Sequence, residues 1–264
     1  MSASNCSNQR RAAPHVRQNA TQSPSTFRRS SRSQSLALPM LLIVLLAAGC
    51  GAPAYHSTRG ATIEHRGTTI VVVPQPHGDW RLVLLHGGGA GPKQFLMQPL
   101  FDELAALGRK APIVVLPDGG DHSYWHNRAD GRWGSQVLRL LHGRVALGGI
   151  SMGGFGSLLL APHSQVCAIG AHSPALWKRA GDTAAGAFDD KADFARNDIF
   201  ERPPNYGRTP VWIDVGSSDP FHDTDVMYAR EIHAQLHVWP GGHDGAYWRA
   251  HMRSYLRFYA AHCS

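Results

Sequence analysis

The chain has 264 residues, enough for one large domain or two small ones, and its 43% hydrophobic content can fill a substantial core. Its formal charge of +7 invites a nucleic-acid reading, but residues 1–49 hold six arginines and no acidic residue, and without them 20 basic side chains face 19 acidic ones. The basic balance therefore belongs to the leader, and no phosphate-binding face is implied for the body.

Residues 1–35 are rich in Ser, Arg, Asn and Gln and have almost no apolar content, a composition that cannot build a core. An apolar run follows over residues 36–48. It falls short of the roughly 20 residues needed to span a bilayer. A basic stretch, a short apolar run and small residues before a cleavage point read as a secretory signal. The run ends Leu46-Ala47-Ala48-Gly49-Cys50, which resembles a bacterial lipobox. That resemblance implies acylation of Cys50 as the new N-terminus, and hence a membrane anchor; plain secretion and an uncleaved anchor are the alternatives. The organisation expected is a leader over 1–49, a tether over 50–66 and one folded domain over 67–264. Loss of the leader removes Cys6 and leaves Cys167 and Cys263. Two cysteines alone make no disulfide framework, so unpaired thiols are expected, with a bridge as the alternative in an oxidising compartment.

In the body, the β-branched stretch 69–73 closes at Pro74 and reads as a strand. Residues 81–85 form a continuous apolar run halted by glycines, as expected of a strand buried on both faces. Residues 98–107 carry apolar side chains at helical spacing, with Gly108 in the stop position. A strand over 112–116 ends at Pro117-Asp118-Gly119-Gly120. A short helix over 136–141, a strand over 144–150 and a helix from 155 follow. Strands are expected over 166–170, 211–215 and 236–239, with helices over 225–233 and 247–259. Residues 174–209 fit no strand and read as a loop or small cap. Strand and helix alternating in this way predicts an α/β fold with a doubly wound, mostly parallel sheet.

Gly149-Ile150-Ser151-Met152-Gly153-Gly154 fits the G-x-S-x-G elbow, with a hydrophobic strand before it and a helix after. The flanking glycines let strand and helix approach closely, so that the Ser151 hydroxyl stands clear at the sheet edge as a nucleophile. A phosphate-binding turn is the alternative. His86-Gly87-Gly88-Gly89 leaves the second strand directly, and HGGG-type loops supply half of an oxyanion hole; the N–H of Met152 is the other half. His86 itself reads as a loop-orienting hydrogen-bonder. The acid and then the histidine should follow in chain order. Asp219 stands just past the 211–215 strand, and His243 lies on the loop after the next one. Asp214 lies inside its strand and points away from the edge, while Asp223 and Asp225 read as caps of the following helix. Capping of the last helix is the alternative role for His243. The other histidines, among them His122, His126, His172, His222 and His237, read as surface or pocket-wall residues without metal spacing. Tyr124, Trp125, Trp133, Trp177 and Trp248 fall near the expected mouth and suggest an apolar pocket.

With these residues placed, the body resembles the esterase D-like branch of the α/β-hydrolases, which includes carbohydrate esterases, formylglutathione hydrolases and mycolyltransferase antigens. The matching stretches are Leu84 to Gly89, Val115 to Gly120, Gly149 to Gly154, and Gly241-Gly242-His243-Asp244 with Trp248. The resemblance implies a second oxyanion N–H at Gly88 and a triad of Ser151, Asp219 and His243. It implies cleavage of small-molecule or lipid esters through an acyl-enzyme, with no cofactor. Two rivals remain at this stage. One is an envelope acyltransferase in which a sugar hydroxyl replaces water, and the other is a non-catalytic ligand-binding lipoprotein.

Overall fold

The computed structural model describes residues 56–58 and 60–264. The leader, Cys50 and residues 51–55 lie outside the described residues. Among the described residues, no helix is long and apolar enough to cross a membrane.

Three strands open the body: β1 (His56–Thr58), β2 (Ala61–Arg66) and β3 (Thr69–Pro74). They pair antiparallel in succession, β2 and β3 through a two-residue turn with Gly67 at φ +63°. Glycine supplies the positive φ that such hairpin turns need. The tether expected over 50–66 is thus corrected: from residue 56 onward much of it is sheet. Ala61 and Ile63 point into the core while Thr62 and Glu64 are only partly covered, so β2 follows a period of two once β3 is beside it.

The remaining elements alternate as expected. They are β4 (Arg81–Leu85), α1 (Gln98–Leu107), β5 (Ile113–Leu116), the small hairpin β6 (Asn127–Arg128) and β7 (Gly131–Arg132), α2 (Trp133–Leu138), β8 (Val145–Ile150) and α3 (Met152–Leu160). Then come β9 (Ile169–His172), α4 (Lys191–Arg196), β10 (Val211–Gly216), α5 (His222–Glu231), β11 (Gln235–Trp239) and α6 (Gly245–Cys263). The main sheet has nine strands in the order β1-β2-β3-β5-β4-β8-β9-β10-β11. From β5 to β11 all neighbours are parallel, so the carboxyl ends of six strands share one edge. β8 sits mid-sheet with all six residues buried. Ligands of open parallel sheets bind at that edge, where connections part to either side.

Helices cover both faces. On one, α1 and α6 pack Phe101, Leu104, Met252, Tyr255 and Tyr259 against the sheet. On the other, α3 and α5 contribute Phe155, Leu158, Tyr228 and Ala229. The 174–209 segment is mostly loop, with α4 capped by the Asp190 carboxylate, and Arg128 of the small hairpin binds Asp189 within it at 2.9 Å.

The expectation of unpaired thiols is also corrected. Cys167 and Cys263 form a disulfide across 96 residues, tying the approach to β9 to the last turn of α6. Closing a loop of this length constrains the unfolded chain, so replacing both cysteines with alanine is expected to cost about 3 kcal/mol. For a domain of this size that corresponds to a Tm lower by on the order of 10 °C. Thermal melts of the two proteins under non-reducing conditions check this, and coincident melts would refute it.

Candidate active site

Ser151 occupies the turn between β8 and α3 at φ +57°, ψ −116°, a region that L-residues avoid. Three backbone hydrogen bonds hold it there. Its N–H donates to the His172 carbonyl at 3.0 Å, and its own carbonyl accepts from Phe155 and Ala175, each at 3.0 Å. The turn is also sterically exacting. A Cβ on Gly149 would strike the Gly153 carbonyl, and one on Gly153 would strike that of Leu85.

The loop after β11 brings His243 to this serine, with Nε2 lying 2.8 Å from Ser151 Oγ. The loop after β10 brings Asp219, whose Oδ2 lies 2.8 Å from His243 Nδ1. Asp219 Oδ1 also accepts the Phe221 N–H at 2.8 Å. Burial favours the neutral acid, but the hydrogen bonds from His243 and Phe221 outweigh it and hold Asp219 below the ordinary carboxylate pKa. An ionised carboxylate only accepts, so Nδ1 carries the proton and Nε2 is left to accept from the serine. The cap of α6 is Asp244, which accepts from the Ala246 and Tyr247 N–H groups, so His243 is not needed there.

The glycine loop after β4 runs against Ser151: a Cβ on Gly87 would stand 3.4 Å from Ser151 Cβ. The Gly87 N–H is taken by Gln94 Oε1 at 2.9 Å, and the Gly89 N–H by the Asp121 carbonyl at 2.8 Å. Gly88 lies between them, and Met152 opens α3 on the serine's other side. Gln94 escaped the sequence reading, since nothing local marks a glutamine eight residues past His86 as a partner of that loop. His86 is buried, accepts the Gly119 N–H at Nε2 and faces the Gly87 carbonyl through Nδ1, each at 2.9 Å. Burial lowers its pKa, which suits a neutral ring spanning two backbone groups.

The expected mouth aromatics divide. Trp248 stands edge-on to His243 at 5.2 Å, and Trp177 packs on Phe221, itself 5.1 Å from His243. Trp125 is buried and donates to the His86 carbonyl, so it supports the glycine loop from below. Two histidines read as surface or pocket wall are buried instead. His126 pairs with Asp193 at 2.9 Å and His172 with Asp214 at 2.6 Å, because a buried imidazole needs an acceptor.

Asp225 departs from its expected capping role. It faces inward from α5, fully buried, and neither carboxyl oxygen has a hydrogen-bond partner among the described residues. Burial first, then the charges of Asp219 and Asp214, push its pKa well above the ordinary value. Between the unfolded and folded pKa values the native state holds the extra proton, so this group makes stability fall as pH rises through that window. Asp225→Asn is therefore expected to melt higher than the parent at neutral pH, with the gain shrinking as pH drops toward the carboxylate range. Paired melts across pH test it, and a pH-independent difference would contradict it.

Residues 136–259 match the family model described as "Putative esterase". Among solved structures, the serine hydrolase FphF of Staphylococcus aureus, described as fluorophosphonate-binding, is 17% identical. It covers 80% of this chain and 99% of its own, with a TM-score of 0.57. A ferulic acid esterase is 20% identical over 74% of this chain and 92% of its own, with a TM-score of 0.59. MPT51 of Mycobacterium tuberculosis is 16% identical over 81% of this chain and 100% of its own, with a TM-score of 0.56. The chain has the α/β-hydrolase fold. In that hydrolase frame, Ser151, Asp219 and His243 follow β8, β10 and β11, all at the carboxyl edge of the sheet. That family match covers less than half of the chain. No curated protein sequence matches the chain.

Proposed function

We propose that the chain is a serine hydrolase of carboxylic esters, with Ser151 as nucleophile, His243 as general base and acid, and Asp219 as the group that orients the imidazole. The observation that carries this reading is the run of two 2.8 Å contacts from Ser151 Oγ through His243 to Asp219 Oδ2. Both lie within the reach that proton transfer requires. His243 Nε2 takes the hydroxyl proton as Oγ attacks the ester carbonyl, and the Asp219 carboxylate supports the resulting imidazolium. The N–H groups of Gly88 and Met152 receive the oxyanion, each donor worth roughly 10² to 10³ in kcat. The imidazolium returns its proton to the leaving alcohol, and water then releases the acid from the acyl-enzyme.

A fluorophosphonate probe with peptide mapping, beside a panel of p-nitrophenyl esters from acetyl to palmitoyl, tests the reading. Labelling of Ser151 together with ester turnover is expected. Absence of both would favour a binding protein on the same fold.

Export to an oxidising compartment is part of the proposal, supported by the Cys167–Cys263 bridge, since such bonds do not persist in a reducing cytosol. Acylation of Cys50 would anchor the enzyme at a membrane. Mass spectrometry of membrane-extracted protein is expected to find a lipid-bearing Cys50 at the mature N-terminus; an unmodified Cys50 would remove the anchor.

A further inference from the structure

A cavity of about 370 Å³ lies beside the site. One wall is Leu176 and Trp177, adjoining Ala175, whose N–H binds the Ser151 carbonyl. The other is Pro220 and Phe221, directly after Asp219. The Phe221 ring stands 5.1 Å from that of His243 and 4.8 Å from that of Trp177, so one aromatic ring separates the cavity from the imidazole. In acyl transfer the imidazole that deprotonates the nucleophile later protonates the leaving oxygen, which must therefore lie on the imidazole's side. A cavity that shares the Phe221 ring with His243 is placed to receive the alcohol portion of an ester.

Its chemistry has two parts. Leu176, Trp177, Pro220 and Phe221 make apolar, largely aromatic walls suited to a flat ring. Lys178 and Arg179 stand exposed at the rim, neither with a carboxylate partner among the described residues; Lys178 Nζ approaches only the soft Met227 Sδ, at 3.6 Å. Asp182 is the one acid lining the cavity, and it pairs with neither cation. Thr224 is already engaged, donating to the Phe221 carbonyl at 2.9 Å. The rim thus sets two cations against one acid above an aromatic wall.

We propose that this cavity is the alcohol subsite, and that it selects esters whose alcohol portion is a flat apolar ring ending in an anionic group. The ring packs on the wall that Trp177 and Phe221 form together, and the anion meets Lys178 and Arg179. The proposal rests on the esterase reading above and names a substrate class for it.

Two acetyl esters separate charge from shape: para-acetoxybenzoate and its neutral amide analogue, para-acetoxybenzamide. The readout is the ratio of their kcat/KM values, so that the intrinsic difference between the leaving groups cancels when proteins are compared. In the full chain, Lys178→Ala with Arg179→Ala is expected to lower the ratio about 10-fold, through KM, since two exposed ion pairs are lost. High salt should lower it in the parent by screening. A ratio unchanged by both would overturn the proposal. Calorimetric binding of para-hydroxybenzoate and para-hydroxybenzamide to Ser151→Ala protein reads the cavity without turnover. Charge-selective binding there without ester turnover by the parent would overturn the esterase reading and uphold the cavity's anion selectivity. Turnover of both esters without charge selectivity would do the reverse.

Discussion

Replacing Ser151 with alanine is expected to lower kcat for ester hydrolysis by about 10⁶, to near background, as removal of a nucleophile does in other triad enzymes. The substitution isolates the hydroxyl. Strain at φ +57° comes from the Cβ, which alanine retains, and the N–H bond to His172 and the carbonyl bonds from Phe155 and Ala175 involve only the backbone. What disappears is Oγ and its 2.8 Å contact with His243 Nε2. The melting curve should therefore stay close to that of the parent while turnover collapses. Because the group acts as a unit, His243→Ala should cost nearly as much and the double variant little more. Steady-state kinetics on the best p-nitrophenyl ester, with circular dichroism for the fold, decide the matter. A folded Ser151→Ala protein retaining several per cent of parental kcat would show that the reacting oxygen belongs to another residue.

Much of this arrangement was legible in the sequence because the signals were local. β4, β5 and β8 read as unbroken apolar runs because a parallel strand covered on both faces has no polar side to alternate with. Ser151 stood out because a buried strand, paired glycines and a helix start coincide around it, and each is a steric need of the same turn. Features that depend on partners distant in the chain were hidden. β2 has inward positions at Ala61 and Ile63, but its polar content makes it a strand only when β3 is alongside. Cys167 and Cys263 are 96 residues apart, and no local pattern joins them. Asp225 is the instructive failure. The period that turns Tyr228 and Ala229 inward, three and four residues later, turns Asp225 inward as well, whereas its residue type suggested an exposed cap.

Asp219→Asn is expected to lower kcat by about 10⁴ while leaving the fold intact, the loss seen when a triad aspartate becomes its amide. The geometry explains why. Asp219 Oδ1 accepts the Phe221 N–H, and Oδ2 faces His243 Nδ1. An asparagine that keeps the Phe221 bond must place its carbonyl oxygen there and turn its NH₂ toward Nδ1. Two donors cannot face each other, so the imidazole moves its proton to Nε2, the nitrogen that must accept from Ser151. The base is then present in the wrong tautomer. Asp214 is the control that separates this effect from general damage. It accepts from His172 at 2.6 Å, Trp212 at 2.7 Å, Tyr255 at 2.8 Å and Tyr247 at 3.0 Å; the His172 carbonyl also holds the Ser151 N–H, but none of these four side chains hydrogen-bonds Ser151 Oγ or the His243 ring. Asp214→Asn puts an NH₂ among these donors, at a cost of about 3 kcal/mol in stability, since a buried donor left unmatched is expensive. Its kcat should change little in whatever fraction remains folded. Asp225→Asn, which touches neither Ser151 nor His243, should leave kcat near the parental value. Measuring kcat and Tm for all three variants in one buffer gives the test its resolution. A crippled kcat at normal Tm for Asp214→Asn or Asp225→Asn, with Asp219→Asn active, would move the orienting acid to another carboxylate.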